Sequence, residues 1–249
     1  RGAEGNGKRQ MQENPIETRF RALEQELRER APQGGVALLA VSKTFGIEAV
    51  EAAWRAGAQA FGENYVQEGV EKCRLFRTRH PDAKVEWHFI GSLQSNKTRP
   101  VAETFDWVQT IDRVKIAERL SAQRPGDLAP LNVLIEVNAD AEPSKSGVSW
   151  DEIEALADRI AELPNLRLRG LMAIPEANGA DGGRRAFSRM REAFEALKRR
   201  HPQVDTLSMG MTADWRTALE EGSTLIRVGS GIFGARDYSR KLQKEGETA

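Results

Sequence analysis

The sequence has little of what several common classes of protein require. Its 249 residues include one cysteine, Cys73, so no intramolecular disulfide and no cysteine-based metal cluster can form. Lysine and arginine (37) balance aspartate and glutamate (37), so the basic excess of nucleic-acid-binding proteins is missing. No run approaches the roughly 20 apolar residues of a membrane span. We therefore predict no nucleic-acid or membrane partner and, from the single cysteine, a cytoplasmic location.

Hydrolytic and metal chemistry also lack support. The three histidines include no pair at the spacing of zinc proteases, and no G-x-S-x-G motif occurs. His88 lies between Trp87 and Phe89 in an apolar run, a pattern that is typical of a core histidine. We predict no metal site.

What the chain does contain is an alternation of short apolar runs with amphipathic runs of helical length. After an amphipathic opening helix, the candidate strands are Val36–Ser42, Ala58–Glu63, Glu86–Gly91, Asp106–Ile111, Asn132–Val137, Leu168–Ile174, Asp205–Met209 and Thr224–Gly229. Eight strand–helix units in a chain of this length are typical of a (β/α)8 barrel. An open doubly wound sheet would show the same alternation, but no linker divides the chain into lobes, so we favour the closed barrel.

These boundaries predict one domain over residues 15–240. The polar, Gly-rich residues 1–14 are predicted to be a disordered leader or an extraneous remnant, and residues 241–249 a frayed tail. The opening helix is predicted over Pro15 to Arg30. The weakest predicted helix is SNKTRPVAETF, because Pro100 lies inside it.

Lys43 is the most distinctive candidate residue. It directly follows the apolar run of the first strand, and functional side chains of such barrels lie where the strands end. Burial lowers the pKa of a lysine, and a neutral amine can form a Schiff base with a carbonyl compound. The alternative is a strand-end lysine whose ammonium group reaches solvent.

Two loops rich in glycine and hydroxyl side chains follow the last two strands, at 208–212 and 227–231. Such loops let backbone amides approach an anion, and a helix predicted to begin near Thr212 would point its positive end at the same place. The loops after strands 7 and 8 are a recurrent phosphate site in barrels of this kind. Glycines that only form tight turns are the alternative.

A lysine after the first strand and a phosphate site after the last two would together suit pyridoxal 5′-phosphate (PLP), which offers an aldehyde on one side and a phosphate on the other. The motifs LLAVSKT, FGENYVQE, WHFIGSLQSNK, SKSG, LSMGMT and IRVGSGIFGARDY occur in this order between Val36 and Tyr238. In these motifs the sequence resembles the pyridoxal phosphate homeostasis proteins, also called the YggS or PROSC family.

The resemblance implies a barrel like the N-terminal domain of alanine racemase, with PLP held as a Schiff base on Lys43. It also implies a role for Arg227, which would face the pyridine nitrogen. The remaining residues that it implies are phosphate ligands at Ser208, Gly210, Gly229 and Ser230, and pocket residues at Asn64, His88 and Met172. Thr212 stands where the family usually has a second serine, and it keeps the hydroxyl group.

Members of this family are regarded as carriers and regulators of the PLP pool, which affects amino-acid and keto-acid balance. We therefore predict a monomeric, non-enzymatic PLP-binding protein that supplies PLP-dependent apoenzymes. Lys97 and Lys145 lie in loops that could hold or hand over a second PLP, and solvated surface lysines are the alternative.

Two enzymatic alternatives remain. In an amino-acid racemase, Lys43 would be one base and Tyr65 or water the other. In a lyase acting on a sugar phosphate, Lys43 would react with the substrate itself. Arg227 disfavours the racemase, because a guanidinium group can only donate to the ring nitrogen and so leaves PLP a poor electron sink. The presence of Arg227 also counts against the lyase.

Overall fold

All eight apolar runs form β-strands, and they surround a single barrel axis. The strands are β1 (Ala37–Val41), β2 (Ala60–Glu63), β3 (Glu86–Phe89), β4 (Trp107–Ile111), β5 (Leu131–Glu136), β6 (Leu166–Met172), β7 (Thr206–Ser208) and β8 (Leu225–Val228). In the computed structural model, which describes residues 13–176 and 180–236, they close into a parallel barrel in sequence order, with β8 paired to β1. The predicted (β/α)8 barrel is confirmed, and the strand ends differ from the predicted ends by at most two residues.

The helices lie outside the barrel and cover its strands. Within the described ranges they are α1 (Pro15–Arg30), α2 (Ile47–Arg55), α3 (Val66–Arg79), α4 (Thr98–Thr104), α5 (Val114–Gln123), α6 (Ile153–Glu162), α7 (Arg184–Arg200), α8 (Trp215–Glu220) and α9 (Ser230–Phe233). The extra helix α1 buries Phe20 and Leu27, and Arg19 Nε donates to the carbonyl of Ile232 at 2.7 Å. The opening helix therefore packs against the last one.

The chain termini bear on the predicted domain bounds. Asn14, which we assigned to the leader, instead caps α1, since its Oδ1 accepts from the amide of Ile16 at 2.9 Å. Residues 1–12, 177–179 and 237–249 lie outside the described residues. The leader, the tail and the end of the domain at residue 240 therefore stay predictions.

Pro100 does not prevent its helix from forming. A short 3₁₀ segment, Ser95–Lys97, leads into α4, and Pro100 lies in the first turn of α4. Backbone amides of a first turn have no acceptor within the helix, so the missing N–H of proline loses no hydrogen bond there.

Alternating side chains divide the core into two layers. Leu39 and Val41 pack inside the barrel, whereas Ala40 belongs to the layer between strands and helices. Gly62 has no side chain, and the space beside it is filled by Leu39. A Cβ atom on Gly62 would lie only 3.0 Å from Leu39 Cδ2. The same alternation directs Lys43, two residues after Val41, towards the barrel axis.

The described residues were also compared with the requirements of a membrane-spanning helix and of a metal site. None of their helices combines the length and the apolar character needed to cross a membrane. Within the same ranges, no group of three or more His, Cys, Asp or Glu side chains is arranged to hold a metal ion.

Candidate functional site

The loops that follow the carboxyl ends of the strands form one end of the barrel, which we call the mouth. Lys43 lies at the mouth, where β1 runs between β2 and β8. On the β8 side, a Cβ atom on Gly229 would lie 3.4 Å from the carbonyl oxygen of Val41, so the two backbones nearly touch. The rings of Phe45 and Phe233 stack with centroids 5.2 Å apart. The lysine is thereby held beside the loop that follows β8.

The Lys43 side chain is half-buried, and its amine is chemically distinctive. Burial lowers its pKa from the ordinary lysine value, and the positive charge of Arg236 lowers it further. A larger fraction of the amine is then neutral at a given pH. Neutral amine is the form that attacks a carbonyl group.

The loops after β7 and β8 meet beside this lysine. The Thr212 hydroxyl accepts from the amide of Gly231 at 3.4 Å and from the hydroxyl of Ser230 at 3.5 Å. Both hydroxyl side chains are exposed. Two hydroxyl groups and the start of α9 therefore converge at one point of the rim.

The helix expected near Thr212 begins later, at Trp215, so that expectation is wrong. The segment before it is a turn in which Asp214 Oδ1 accepts from the amide of Met211 at 2.7 Å. Gly210 faces this helix, because a Cβ atom there would lie 2.7 Å from Ala218 Cβ. The close packing and a φ of +98° both require glycine.

Arg227 lies inside the barrel, just below the mouth. Its Nη1 donates to Ser208 Oγ at 2.6 Å and its Nη2 to the carbonyl of Ala173 at 3.0 Å. Burial lowers the pKa of Arg227 to about 10, so the guanidinium remains charged at neutral pH. These contacts fix a permanent donor beneath the mouth.

Ser208 and His88 are buried and belong to one chain of hydrogen bonds. The Ser208 hydroxyl donates to Gln109 Oε1 at 2.7 Å, and Gln109 Nε2 lies 2.9 Å from His88 Nδ1. The imidazole is fully buried, stacks on Trp107 with centroids 4.8 Å apart, and lines a 420 Å³ cavity that it shares with Glu86 and Arg169 at the amino-terminal end.

The burial of Ser208 and His88 bears on the roles that were predicted for them in cofactor binding. The Ser208 hydroxyl donates to Gln109 and accepts from Arg227, so it helps to hold Arg227 in place, and its predicted role as a phosphate ligand stays a prediction. His88 is separated from Arg227 by two intervening side chains. Its burial agrees with the sequence pattern of a core histidine, and its predicted place in the cofactor pocket stays a prediction.

Asn64 and Met172 flank the mouth at different depths. Asn64 follows β2, is half-buried, and has an Oδ1 atom that is buried with no hydrogen-bond partner among the described residues. Met172 is fully buried and packs with Trp107 and Leu134 in the barrel interior. The structure thus groups Lys43, Gly229 and Ser230 at the rim, with Arg227 and Met172 below.

Comparison with known proteins places this arrangement in a family. A profile of the family described as "Alanine racemase, N-terminal domain" matches residues 18–237. The pyridoxal phosphate homeostasis protein of Vibrio cholerae is 57% identical over 210 residues, which cover 84% of this chain and 89% of that protein. The Escherichia coli protein of the same name is 54% identical over 85% of this chain and 90% of its own length. This chain belongs to the pyridoxal phosphate homeostasis family.

Solved structures agree with this membership. PipY of Synechococcus elongatus with PLP bound is 33% identical, with a TM-score of 0.76 over 88% of this chain and 100% of that chain. Alanine racemase of Corynebacterium glutamicum is 20% identical, with a TM-score of 0.64 over 88% of this chain and 59% of that chain. The second likeness is one of fold, and it confirms a barrel of the alanine racemase type.

The structure places two further polar residues near the site that were not predicted from the sequence. Gln109 interrupts the apolar run of β4 and could have been noticed as a polar side chain on a buried strand. Glu136 ends β5 half-buried, and burial together with the charge of Asp112 raises its pKa to about 7, although Arg227 acts in the opposite direction. Burial therefore favours the neutral, protonated form of the Glu136 carboxyl group.

The two loop lysines differ in their surroundings. Lys97 is exposed at the end of the 3₁₀ segment. Lys145 Nζ lies 2.9 Å from Asp140 Oδ2 and 3.3 Å from Glu176 Oε1, and hydrogen bonding to Asp140 raises its pKa. A raised pKa favours the charged ammonium, so Lys145 is a poorer nucleophile than Lys43.

Proposed function

We propose that this chain is a non-catalytic PLP-binding protein that holds the cofactor covalently on Lys43 and thereby regulates the intracellular PLP pool. The observation that carries the proposal is the half-buried Lys43 amine, whose pKa burial lowers, at the mouth beside Gly229 and Ser230. Its neutral amine would add to the aldehyde carbon of PLP, and loss of one water would leave a Schiff base.

The residues at the mouth fit the cofactor. Ser230, Thr212 and the amide of Gly231 supply donors suited to a phosphate group, and small side chains leave room for it. Arg227 supplies a charged donor for the pyridine nitrogen. Asn64 follows β2 at the mouth, but its Oδ1 atom is buried, so a ligand would reach that atom only after the side chain had moved.

The same residues argue for binding without turnover. PLP supplies an electron sink for carbanion chemistry when its ring nitrogen is protonated. Arg227 keeps its proton and can only donate, so it favours the unprotonated nitrogen. A racemase also needs a second base opposite Lys43, and Tyr65 is 52% exposed at the rim.

The first experiment replaces Lys43 with alanine and compares it with Lys97→Ala, a change of an exposed lysine. With PLP added, we expect the near-visible absorbance of the Schiff base in the parent and in Lys97→Ala, and its loss in Lys43→Ala. An unchanged spectrum in Lys43→Ala would contradict the assignment of Lys43 as the residue that forms the Schiff base. Exchange of the α-proton of an amino acid in deuterated water, faster than with free PLP, would instead favour the racemase.

Delivery of PLP to apoenzymes is a further part of the proposal, together with a monomeric, cytoplasmic protein. Delivery is supported by the reversibility of a Schiff base and by the position of Lys43, which is only half-buried. We expect the loaded protein to activate a PLP-dependent apoenzyme while an added scavenger removes free aldehyde. Activation no faster than PLP dissociates into solution would contradict delivery and leave binding intact.

A further inference from the structure

The two residues that flank Lys43 are both held from helix α3. On one side, Lys72 Nζ donates to the carbonyl of Ser42 at 2.9 Å, and the Ser42 hydroxyl donates to Glu63 Oε1 at 2.7 Å. On the other side, the amide of Thr44 donates to Glu68 Oε1 at 2.6 Å. The backbone on each side of the lysine is therefore fixed by a side chain.

One buried ammonium group connects the two sides. Lys72 Nζ also donates to Glu63 Oε1 at 2.6 Å and to Glu68 Oε1 at 2.9 Å, so it has three acceptors. The side chains of Lys72 and Glu63 are 6% and 0% exposed, whereas Glu68 is 33% exposed. Lys72 and Glu63 form the buried part of this cluster, and Glu68 is its accessible arm.

The segment that Glu68 holds is strained. Thr44 has a φ of +69°, in the left-handed region that β-branched residues rarely adopt. Such a conformation has a free-energy cost and persists only where neighbouring contacts hold it. In this loop the Thr44 amide makes its hydrogen bond to Glu68, so the strained turn and the carboxylate are directly joined.

We propose that Glu68 is a positioning residue that holds the strained turn at Thr44 and so directs the Lys43 amine into the mouth. The inference rests on the proposed capture of PLP by Lys43. Without Glu68, Thr44 can relax to a negative φ, which rotates the backbone immediately after the lysine. The proposed phosphate donors Ser230 and Thr212 lie in the loops after β8 and β7, and Arg227 lies on β8, so none of these ligands belongs to this turn.

The test separates covalent capture from noncovalent binding. Glu68→Ala is compared with Glu71→Ala, a change of an exposed glutamate on the same helix, and with Glu68→Gln, which keeps an oxygen acceptor. Capture is measured as the rate at which the Schiff-base absorbance increases after the protein is mixed with PLP. Noncovalent binding is measured as the Kd of 4′-deoxypyridoxine 5′-phosphate, which has the ring and the phosphate but no aldehyde.

We expect Glu68→Ala to slow capture by about tenfold to a hundredfold, the range for misplacing a reacting group by about an ångström, and to leave the Kd of the analogue within about twofold. Glu68→Gln and Glu71→Ala should capture PLP at nearly the parent rate. Adding Thr44→Asn to Glu68→Ala should recover part of the rate, because asparagine tolerates a positive φ better than threonine.

Two results would overturn the inference: an unchanged capture rate in Glu68→Ala, or an equal loss of analogue binding, which would indicate general loosening of the mouth. Failure of the proposed function looks different. In that case the parent protein itself would form no Schiff base, whatever residue stands at position 68.

Discussion

Replacing Lys72 with methionine is expected to lower the free energy of unfolding by about 3–5 kcal/mol, the usual loss when one partner of a buried ion pair is removed. Lys72 donates to Glu63, Glu68 and the carbonyl of Ser42. Methionine fills a similar volume but donates nothing. The largest part of the loss would come from Glu63, whose carboxylate would stay buried without a cation.

The matched control is Lys115→Met, which changes an exposed lysine on α5 and should alter the stability by less than about 0.5 kcal/mol. Urea unfolding of both variants gives the comparison. A loss below about 1 kcal/mol in Lys72→Met would contradict the prediction, because it would mean that the buried carboxylate needs no partner.

The loss in Lys72→Met should also depend on pH. Burial raises the pKa of Glu63 in the folded protein, and Lys72 works against that rise. Without Lys72 the folded pKa rises further above the unfolded value. Between those two pKa values the folded state binds more protons than the unfolded state, so stability falls as the pH increases. We therefore expect a larger loss at pH 8 than at pH 5, and an equal loss at both would contradict this cause.

The parts of the fold that depend on local patterns could be predicted from the sequence. The apolar runs predicted every strand, because a strand buried between barrel interior and helices must be apolar on both faces. The position of Lys43 directly after the apolar run of β1 also predicted that it lies at the end of the barrel where the strands end. Loop composition predicted the meeting of the 208–212 and 227–231 loops, because β7 and β8 are neighbours.

Depth along the barrel axis could not be predicted in the same way. Alternation identifies the face on which His88 and Ser208 lie, but their height depends on the stagger between strands, which only the closed barrel determines. The pairing of Ser208 with Leu225 shows this stagger, because it leaves Arg227 level with the residues beyond β7. The hydrogen bond between Ser208 and Gln109 joins residues that are 99 positions apart in the sequence, so no local pattern could predict it.

The cluster around Lys72 was missed for a related reason. Glu68 and Lys72 are four residues apart on α3, and sequence alone cannot distinguish such a pair from an ordinary exposed ion pair. Burial of Lys72 depends on how α3 packs on β2, where a Cβ atom on Gly69 would lie 2.9 Å from Glu63 Cβ. A glycine beside a charged pair in a helix is the only local sign of that close approach.

Replacing Gly91 with alanine should produce the second large effect, a loss of about 3 kcal/mol or more in the free energy of unfolding. A Cβ atom there would lie 1.9 Å from the carbonyl oxygen of Asn64 and 2.7 Å from its carbonyl carbon. Backbone atoms cannot rotate away as a flexible side chain can. The Gly91 carbonyl also accepts from Thr110 Oγ1 at 2.7 Å, so the loop is held on its other side.

Relief of this clash must move either Gly91 or Asn64, and both choices alter the site. Displacing Asn64 changes the wall of the mouth beside Lys43, so the Kd for PLP should rise together with the loss of stability. Gly126→Ala is the matched control, because a Cβ atom there meets nothing within 4 Å. That change should be neutral or stabilising by about 0.4–1 kcal/mol. Urea unfolding and PLP titration of both variants give the comparison, and equal stability in the two would mean that the loop after β3 yields to an added methyl group without disturbing Asn64.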